Sequence, residues 1–341
     1  MTVFSLSTAE IWHRLVQAAH QRLTGPEGLA LGLLWATIIV AAVITYAQAV
    51  RNRRSLRDFL SHILPSGTLK HPSARADVLF YLSRHIFVPL LVVPLAITTA
   101  GAGRLAYLGL SSVFGAPEHP PGSAGFGTLV AFTITMLLAY DLSYYIYHRL
   151  QHSVPILWEL HKVHHSAQVM VGVTKDRIHP FDLIMNTWWD GLIPGLVYGI
   201  WSFFVLNPVE LTVFGLSVYT LRNVLLMQDF VRHTHLKLSY GRVLNALFLC
   251  PHYHQLHHSQ APEHWDKNFG LTLTVWDWMF GTLVVPKANE DFEFGLMNNE
   301  HDEYQSLYRL HVLPLKKIAA LLRRSRSGRK PRSVPDAGEI A

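Results

Sequence analysis

Long apolar stretches alternate with short polar ones along this chain, and the apolar stretches have the length of membrane helices. Residues 29–50 hold no charge over 22 positions, about 33 Å of helix and enough to cross the hydrocarbon core of a bilayer. The stretch is internal and too long for the apolar part of a secretory leader, so no cleaved signal is expected. A second span covers roughly 78–100, where Pro89 and Pro94 predict kinks. A third covers roughly 126–148. Residues 183–206, with Pro194, and 209–226 form an apolar pair hinged at Asn207-Pro208, a hairpin that enters and leaves on one side. The pattern predicts an all-α polytopic bundle of about four to five transmembrane or re-entrant helices under a histidine-rich helical cap.

The polar connections orient this bundle. The loop 51–77 carries six Lys/Arg against two Asp, which places it in the cytoplasm and the N-terminus outside. The connection 101–125 has one basic residue, Arg104, and suits the outer side. The third span then returns to the cytoplasm, and the hairpin keeps the polar stretches 149–182 and 229–290 there with it. Four regions result: an amphipathic segment 1–26, N-terminal membrane helices and loops 27–125, a chemistry-bearing region 126–290, and a basic cytoplasmic tail 291–341. That tail holds Lys316, Lys317, Arg323, Arg324, Arg326, Arg329, Lys330 and Arg332, and a helix in it ending in a basic segment suits anionic headgroups, with a solvated tail as the plainer reading.

Composition narrows the class further. Of 341 residues, 50% are hydrophobic and 15% charged. The net charge of +6 comes from basic residues flanking apolar spans, not from a stripe interleaved with aromatics, so no nucleic-acid partner is expected. The single cysteine, Cys250, excludes an internal disulfide and a cysteine-rich zinc site. It reads as a small buried apolar residue.

Histidines carry the chemistry. They stand in three groups: His148 and His152; His161, His164 and His165; His254, His257 and His258. Residues i, i+3 and i+4 share a helix face, so each group aims two or three imidazoles at a common point. Eight such residues exceed what one ion with an open position needs, which implies two metals. An all-imidazole set suits iron, zinc, copper or nickel and argues against calcium or magnesium. No His-Glu-x-x-His pairing of a metalloprotease is present. Asp141 lies two helical turns before His148 inside an apolar span, where a carboxylate is expensive unless bonded. A bond to a ligand histidine is expected, with pairing to Arg149 or Arg232 as the alternative. Asp266 and Asn268 suit similar roles near the third group. Trp276, Trp278 and Phe280 read as an interfacial belt or core packing.

The histidine order, together with Asp141-x-x-Tyr-Tyr-x-x-His-Arg-x-x-His, Pro155-x-Leu-Trp-x-x-His-Lys-Val-His-His-Ser and Asp266-Lys-Asn-Phe-Gly…Trp276-Asp-Trp-Met-Phe-Gly-Thr282, resembles the fatty acid hydroxylase / sterol desaturase superfamily of integral-membrane non-haem di-iron oxidases. The similar region covers about 128–285. The resemblance implies two Fe ions, O2 as co-substrate, and hydroxylation or desaturation of a fatty acyl, sterol-like or ether-lipid C–H bond drawn from the bilayer. Residue by residue it makes His148, His152, His161, His164, His165, His254, His257 and His258 metal ligands, and adds His233 from Phe-Val-Arg-His-Thr-His. His179-Pro-x-Asp182 resembles a family element after the second group; His179, with Asp141, is expected to serve catalysis by lining the site or bracing a ligand, with a structural turn as the alternative for His179, and the Asp182 carboxylate to accept an imidazole N–H. No nucleotide, flavin or cytochrome motif is present, so electrons are expected from a separate reductase, cytochrome or pterin. The closing motif also resembles the alkylglycerol monooxygenase branch, whose reductant is a tetrahydropterin. A membrane metal transporter or a zinc-dependent lipid hydrolase is the alternative from another class.

Overall fold

Glycine recurs every fourth residue in Gly191-Leu-Ile-Pro-Gly195-Leu-Val-Tyr-Gly199, which puts one bare stripe along a helix. That stripe organises the membrane-side packing. In the computed structural model, which describes residues 65–118, 125–205, 228–287 and 290–326 with a few positions between, the stripe belongs to helix α5, Pro180–Phe204. It lies against α2, Thr99–Phe114. A Cβ on Gly195 would stand 2.5 Å from the Ala102 Cβ, and one on Gly199 would stand 2.5 Å from the Gly103 carbonyl oxygen. Small residues on both partners let the two backbones meet, as in membrane helix pairs generally. The contacts advance together along both helices, so α2 and α5 run parallel.

Helix α1, Pro72–Phe87, starts with Pro at its first position and His71 as its cap. Pro89 and Pro94 then take effect. A π-turn covers Val88–Val92, a short helical piece Val93–Leu95 follows, and the backbone is extended at 96–98 before α2. Trp188 Nε1 donates to the Leu95 carbonyl at this break, 2.6 Å away. Pro194 sits inside α5 without ending it. Its ring removes the donor that Asp190 O would have used, and the Thr99 hydroxyl supplies a long substitute at 3.4 Å.

Helix α3, Phe126–Ser153, is the longest element and runs antiparallel to α5: Ser143 bonds the Trp189 carbonyl and Tyr147 bonds Asp182. Val154 separates it from α4, Pro155–His165. Shorter helices follow: α6 (Gln228–Arg232), α7 (Pro251–His257) and α8 (Val275–Met279), then α9, Leu307–Arg326. Pro72–Phe114, taken through its break, and Phe126–Ser153 are long and apolar enough to cross a membrane. Described residues outside the helices include one antiparallel pair of two-residue strands, Thr212–Val213 and Leu216–Ser217.

Two expectations change. The stretch 101–125, expected as an outer loop, is mostly helix α2; its glycines and alanines serve close packing, and Leu105, Val113 and Phe114 stay exposed on the other face. The apolar segment from 183 starts earlier, at Pro180, and forms one unbroken helix. The segments 1–26, 29–50 and 209–226 and the chain beyond 326 lie outside the described residues, apart from isolated positions.

The cap is fastened by Arg177, which is fully buried. Its guanidinium pairs with Asp77 of α1 at 2.8 Å, bonds the Val163 carbonyl and the Ser166 hydroxyl at the end of α4, and reaches the Tyr304 carbonyl before α9. One cation thus satisfies carbonyls at the C-terminus of the histidine-bearing α4. Phe80, Val163, Leu183, Ile184, Tyr304 and Leu310 close the apolar core around it.

Candidate metal centre

Four elements deliver the histidines. One face of α3 gives His148 and His152, α4 gives His161, His164 and His165, His233 follows α6, and α7 with the residue after it gives His254, His257 and His258. Pro155 and Pro251 each occupy the first helical position, where a missing N–H costs nothing. The rings assemble into two groups. His148, His152, His161, His165 and His257 form one; His164, His233, His254 and His258 form the other, and within each the ligand-capable atoms lie within 4.8 Å of one another. Helices α4 and α7 each divide their histidines between the two groups. The groups touch where His165 stacks on His258, ring centroids 4.4 Å apart.

The first group is aimed from behind. His148 Nδ1 donates to the Phe269 carbonyl at 2.8 Å, and His257 Nδ1 to the Lys267 carbonyl at 2.7 Å. A carbonyl only accepts, so Nδ1 carries the proton and the Nε2 lone pair is free. His161 Nδ1 faces Asp182 and His152 Nδ1 faces Asp266, each at 3.3 Å. The Nε2 atoms of all five are buried with no hydrogen-bond partner. Buried polar atoms are rarely left so, and five convergent lone pairs fit a cation.

In the second group His233 Nδ1 donates to the Asp229 carbonyl at 2.7 Å. Its Nε2 lies 3.1 Å from His164 Nε2 and 3.0 Å from His254 Nε2, and His254 Nε2 lies 3.2 Å from His258 Nε2. Such spacings are those of neighbouring ligands around one ion with bonds of about 2.0–2.1 Å. The Nδ1 atoms of His164, His254 and His258 have no partner, so this group is braced more weakly than the first. Burial, reinforced by neighbouring imidazoles, holds His164, His165, His254 and His258 well below the usual histidine range and pushes His257 down to about 3. Neutral imidazoles are the form that binds metal.

Asp182 is fully buried and accepts from Tyr147 Oη and Gln151 Nε2, each at 2.6 Å, besides facing His161. Asp141 behaves otherwise than expected. Its carboxylate reaches no histidine in these contacts; it accepts from the Thr272 and Leu273 amides and from the Trp276 indole, at 2.9–3.1 Å. It anchors the loop that carries the braces, which lies beside α3 although it comes some 130 residues later. His179 also stands apart from both groups. Its Nδ1 accepts from Phe181 N to cap α5, and its Nε2 donates to the His311 carbonyl at 2.9 Å. A residue that ties α5 to α9 has both ring nitrogens occupied.

Spacing along the sequence does not reveal the loop 266–282, whose contribution is largely backbone. Asp266 and Asn268 adopt positive φ of 54° and 55°, which Asp and Asn tolerate better than most residues. The turn points the Lys267 and Phe269 carbonyls at the imidazoles. Asn268 ties the loop to the Tyr253 and Val284 carbonyls. Asp277, fully buried, accepts from Phe269 N and Gly270 N at 2.8 Å and from the Thr282 hydroxyl. Cys250 is buried and its thiol pKa is raised by burial, so it offers no thiolate.

Comparison with known proteins agrees with this arrangement. Residues 133–282 match the fatty acid hydroxylase family model. The chain is 29% identical over 180 residues to alkylglycerol monooxygenase of Caenorhabditis elegans, covering 53% of this chain and 32% of that one. It is 24% identical over 204 residues to ornithine lipid hydroxylase OlsE of Rhizobium tropici, covering 60% and 54%, and 29% identical over 160 residues to cholesterol 25-hydroxylase of Mus musculus, covering 46% and 47%. The chain thus spans about a third of the alkylglycerol monooxygenases it matches. No solved structure matches it. Both histidine groups and the loop that braces them fall within the residues that match the fatty acid hydroxylase family model.

Proposed function

We propose that this protein is a multi-pass membrane enzyme that hydroxylates a lipid, using dioxygen and two iron ions held by His148, His152, His161, His165 and His257 and by His164, His233, His254 and His258. The convergence of nine buried imidazoles, five with orphaned Nε2 atoms, carries the reading. The relatives named above, acting on an alkylglycerol, an ornithine lipid and cholesterol, favour hydroxylation over desaturation and a lipid over a soluble substrate. Iron supplies the activation of dioxygen that an inert C–H bond requires. The overall change inserts one oxygen atom into C–H and reduces the other to water, consuming two electrons and two protons from an external reductase, cytochrome or pterin.

The chain's own residues do the rest. The Phe269 and Lys267 carbonyls, Asp182 and Asp266 fix the imidazoles in the tautomer that leaves Nε2 free. The apolar faces of α2, α3 and α5 give the lipid its approach. The basic loop 51–77 argues for the cytoplasmic side of the membrane as the location of the site. A transport pathway would string its ligands along the bilayer axis, whereas these cluster around the ends of α3, α4 and α7.

Purified protein loaded with iron, supplied with labelled dioxygen, each reductant class and the three lipid classes, should yield a lipid carrying one labelled oxygen. An iron-loaded protein that makes no oxygen-dependent product but conducts metal ions across vesicles would overturn the assignment.

A further inference from the structure

The surface beside the brace loop is apolar where a cap in water would be polar. Trp278 is 73% exposed, Met279 57% and Phe280 48% on and just after α8; Val243 is 77%, Leu247 57% and Leu244 49% exposed on and just after the helical turn Arg242–Asn245. The two segments are stitched into one patch: Thr274 N donates to the Leu247 carbonyl at 3.1 Å, the Thr274 hydroxyl to the Ala246 carbonyl at 2.7 Å, and Phe248 bridges to Leu273. Six large apolar side chains on one exposed surface mark an interaction site.

Its height along α3 identifies the partner. Asp141 holds Thr272, Leu273 and Trp276, and Phe280 stacks on Tyr145, so the patch lies level with the part of α3 that precedes His148. Asp141 is seven residues before His148, about 10 Å along the helix. On the same face of α3 one and two turns further from the site, Leu138 and Ile134 are exposed at 38% and 53%. The apolar stripe of a membrane-spanning helix thus runs directly into the patch. At the patch's other end Arg149 is exposed, with its guanidinium 5.8 Å from the Phe280 ring centre, and Arg242 is exposed beside Val243. Apolar side chains below and arginines above are the profile of an element sunk into one leaflet.

We propose that residues 242–247 and 275–280 form a non-spanning wedge embedded in the phospholipid leaflet. Its apolar side chains reach acyl carbons, and Arg149 and Arg242 sit at the phosphates. The wedge sets the depth of the metal centre, about 10 Å along α3 beyond the level of Asp141, and leaves lipid in contact with the loop that braces His148 and His257. The proposal rests on α3 being a membrane span and is independent of the oxidation chemistry.

Full-length protein in phosphatidylcholine nanodiscs is photolabelled with an acyl-chain diazirine phospholipid, and the adducts are mapped by mass spectrometry. Adducts are expected on peptides containing 243–247 and 275–280 as well as on 134–138, and none on 297–304. Labelling of 134–138 without either wedge peptide overturns the wedge alone; absence of label from all three overturns the span reading with it. In a Cys250→Ala background, spin labels at Leu244→Cys and Trp278→Cys should collide with oxygen at least about threefold more than with a water-soluble nickel chelate, with the ratio reversed at Asp302→Cys. Labels shielded from both agents would indicate a protein partner and overturn the lipid assignment.

Discussion

Two carboxylates, Asp182 and Asp266, face histidines of the first group, and Asp182 is the buried one. Asp182 faces His161 while Tyr147 and Gln151 hold its other contacts, so Asp182→Asn keeps the shape and removes the charge that favours a metal-bound imidazole. Metal affinity should fall about 10–100-fold, measured by chelator competition, while folding yield changes little. His165→Ala and His258→Ala open one position in each group. Each should abolish product and bound iron together, by metal analysis and lipid assay; full activity in either would remove that residue from the ligand set. Eight of the nine histidines were legible because helix geometry converts spacing into a shared face, and His233 only through the family resemblance. Among their braces the Asp182 and Asp266 carboxylates were legible too, but the two backbone carbonyls were not, being placed by a left-handed turn at Asp266 and Asn268 that side-chain spacing does not encode. Asp141 was legible as a bonded buried carboxylate, but its partners lie on a loop that sequence distance hides.

At the scale of elements, α2 and α5 meet through small residues instead of interlocking large ones. Gly195→Leu would drive a side chain into Ala102 and the Thr99 carbonyl. Overpacking of this kind costs about 1–3 kcal/mol, and at about 2–4 °C per kcal/mol for a domain of this order the midpoint in detergent should fall by several degrees. Gly109→Leu, on α2 where nothing stands within 4 Å, is the control and should leave it nearly unchanged. The apolar periodicity located α1, α3 and α5 and the kinks at Pro89 and Pro94. It missed α2 because glycine and alanine density reads as a loop when the partner that needs close approach is more than ninety residues away, as Gly195 is from Ala102.

Across the whole molecule, the join between membrane helices and cap is sensitive to acid. Burial, with His179 nearby, pushes His311 down to about 4, and burial lowers His179 as well. An unfolded histidine titrates near 6.5, so between pH of about 6.5 and 4 the unfolded chain takes up protons that the native state refuses. Stability therefore falls as pH drops through that window. His311 stacks on Phe80 at 4.6 Å, which makes His311→Phe a compatible replacement. The variant should lose less of its melting midpoint than the parent between pH 7 and pH 4.5, by about 2–4 °C. Equal losses would show that the ring does not govern the response.

Because α4 and α7 each supply both groups of imidazoles, neither group can be ordered alone. The better-braced five-histidine group should fill first, and in doing so it fixes the helices that carry His164, His254 and His258. On the proposed two-iron reading, the second ion then meets a site whose ordering cost has already been met. Iron uptake should be cooperative: titration of the metal-free protein should give a Hill coefficient above one, with the singly loaded form scarce throughout. Under iron limitation a population of such molecules would divide into filled and empty enzymes, and activity would track the number of filled molecules while the rate of each stayed constant.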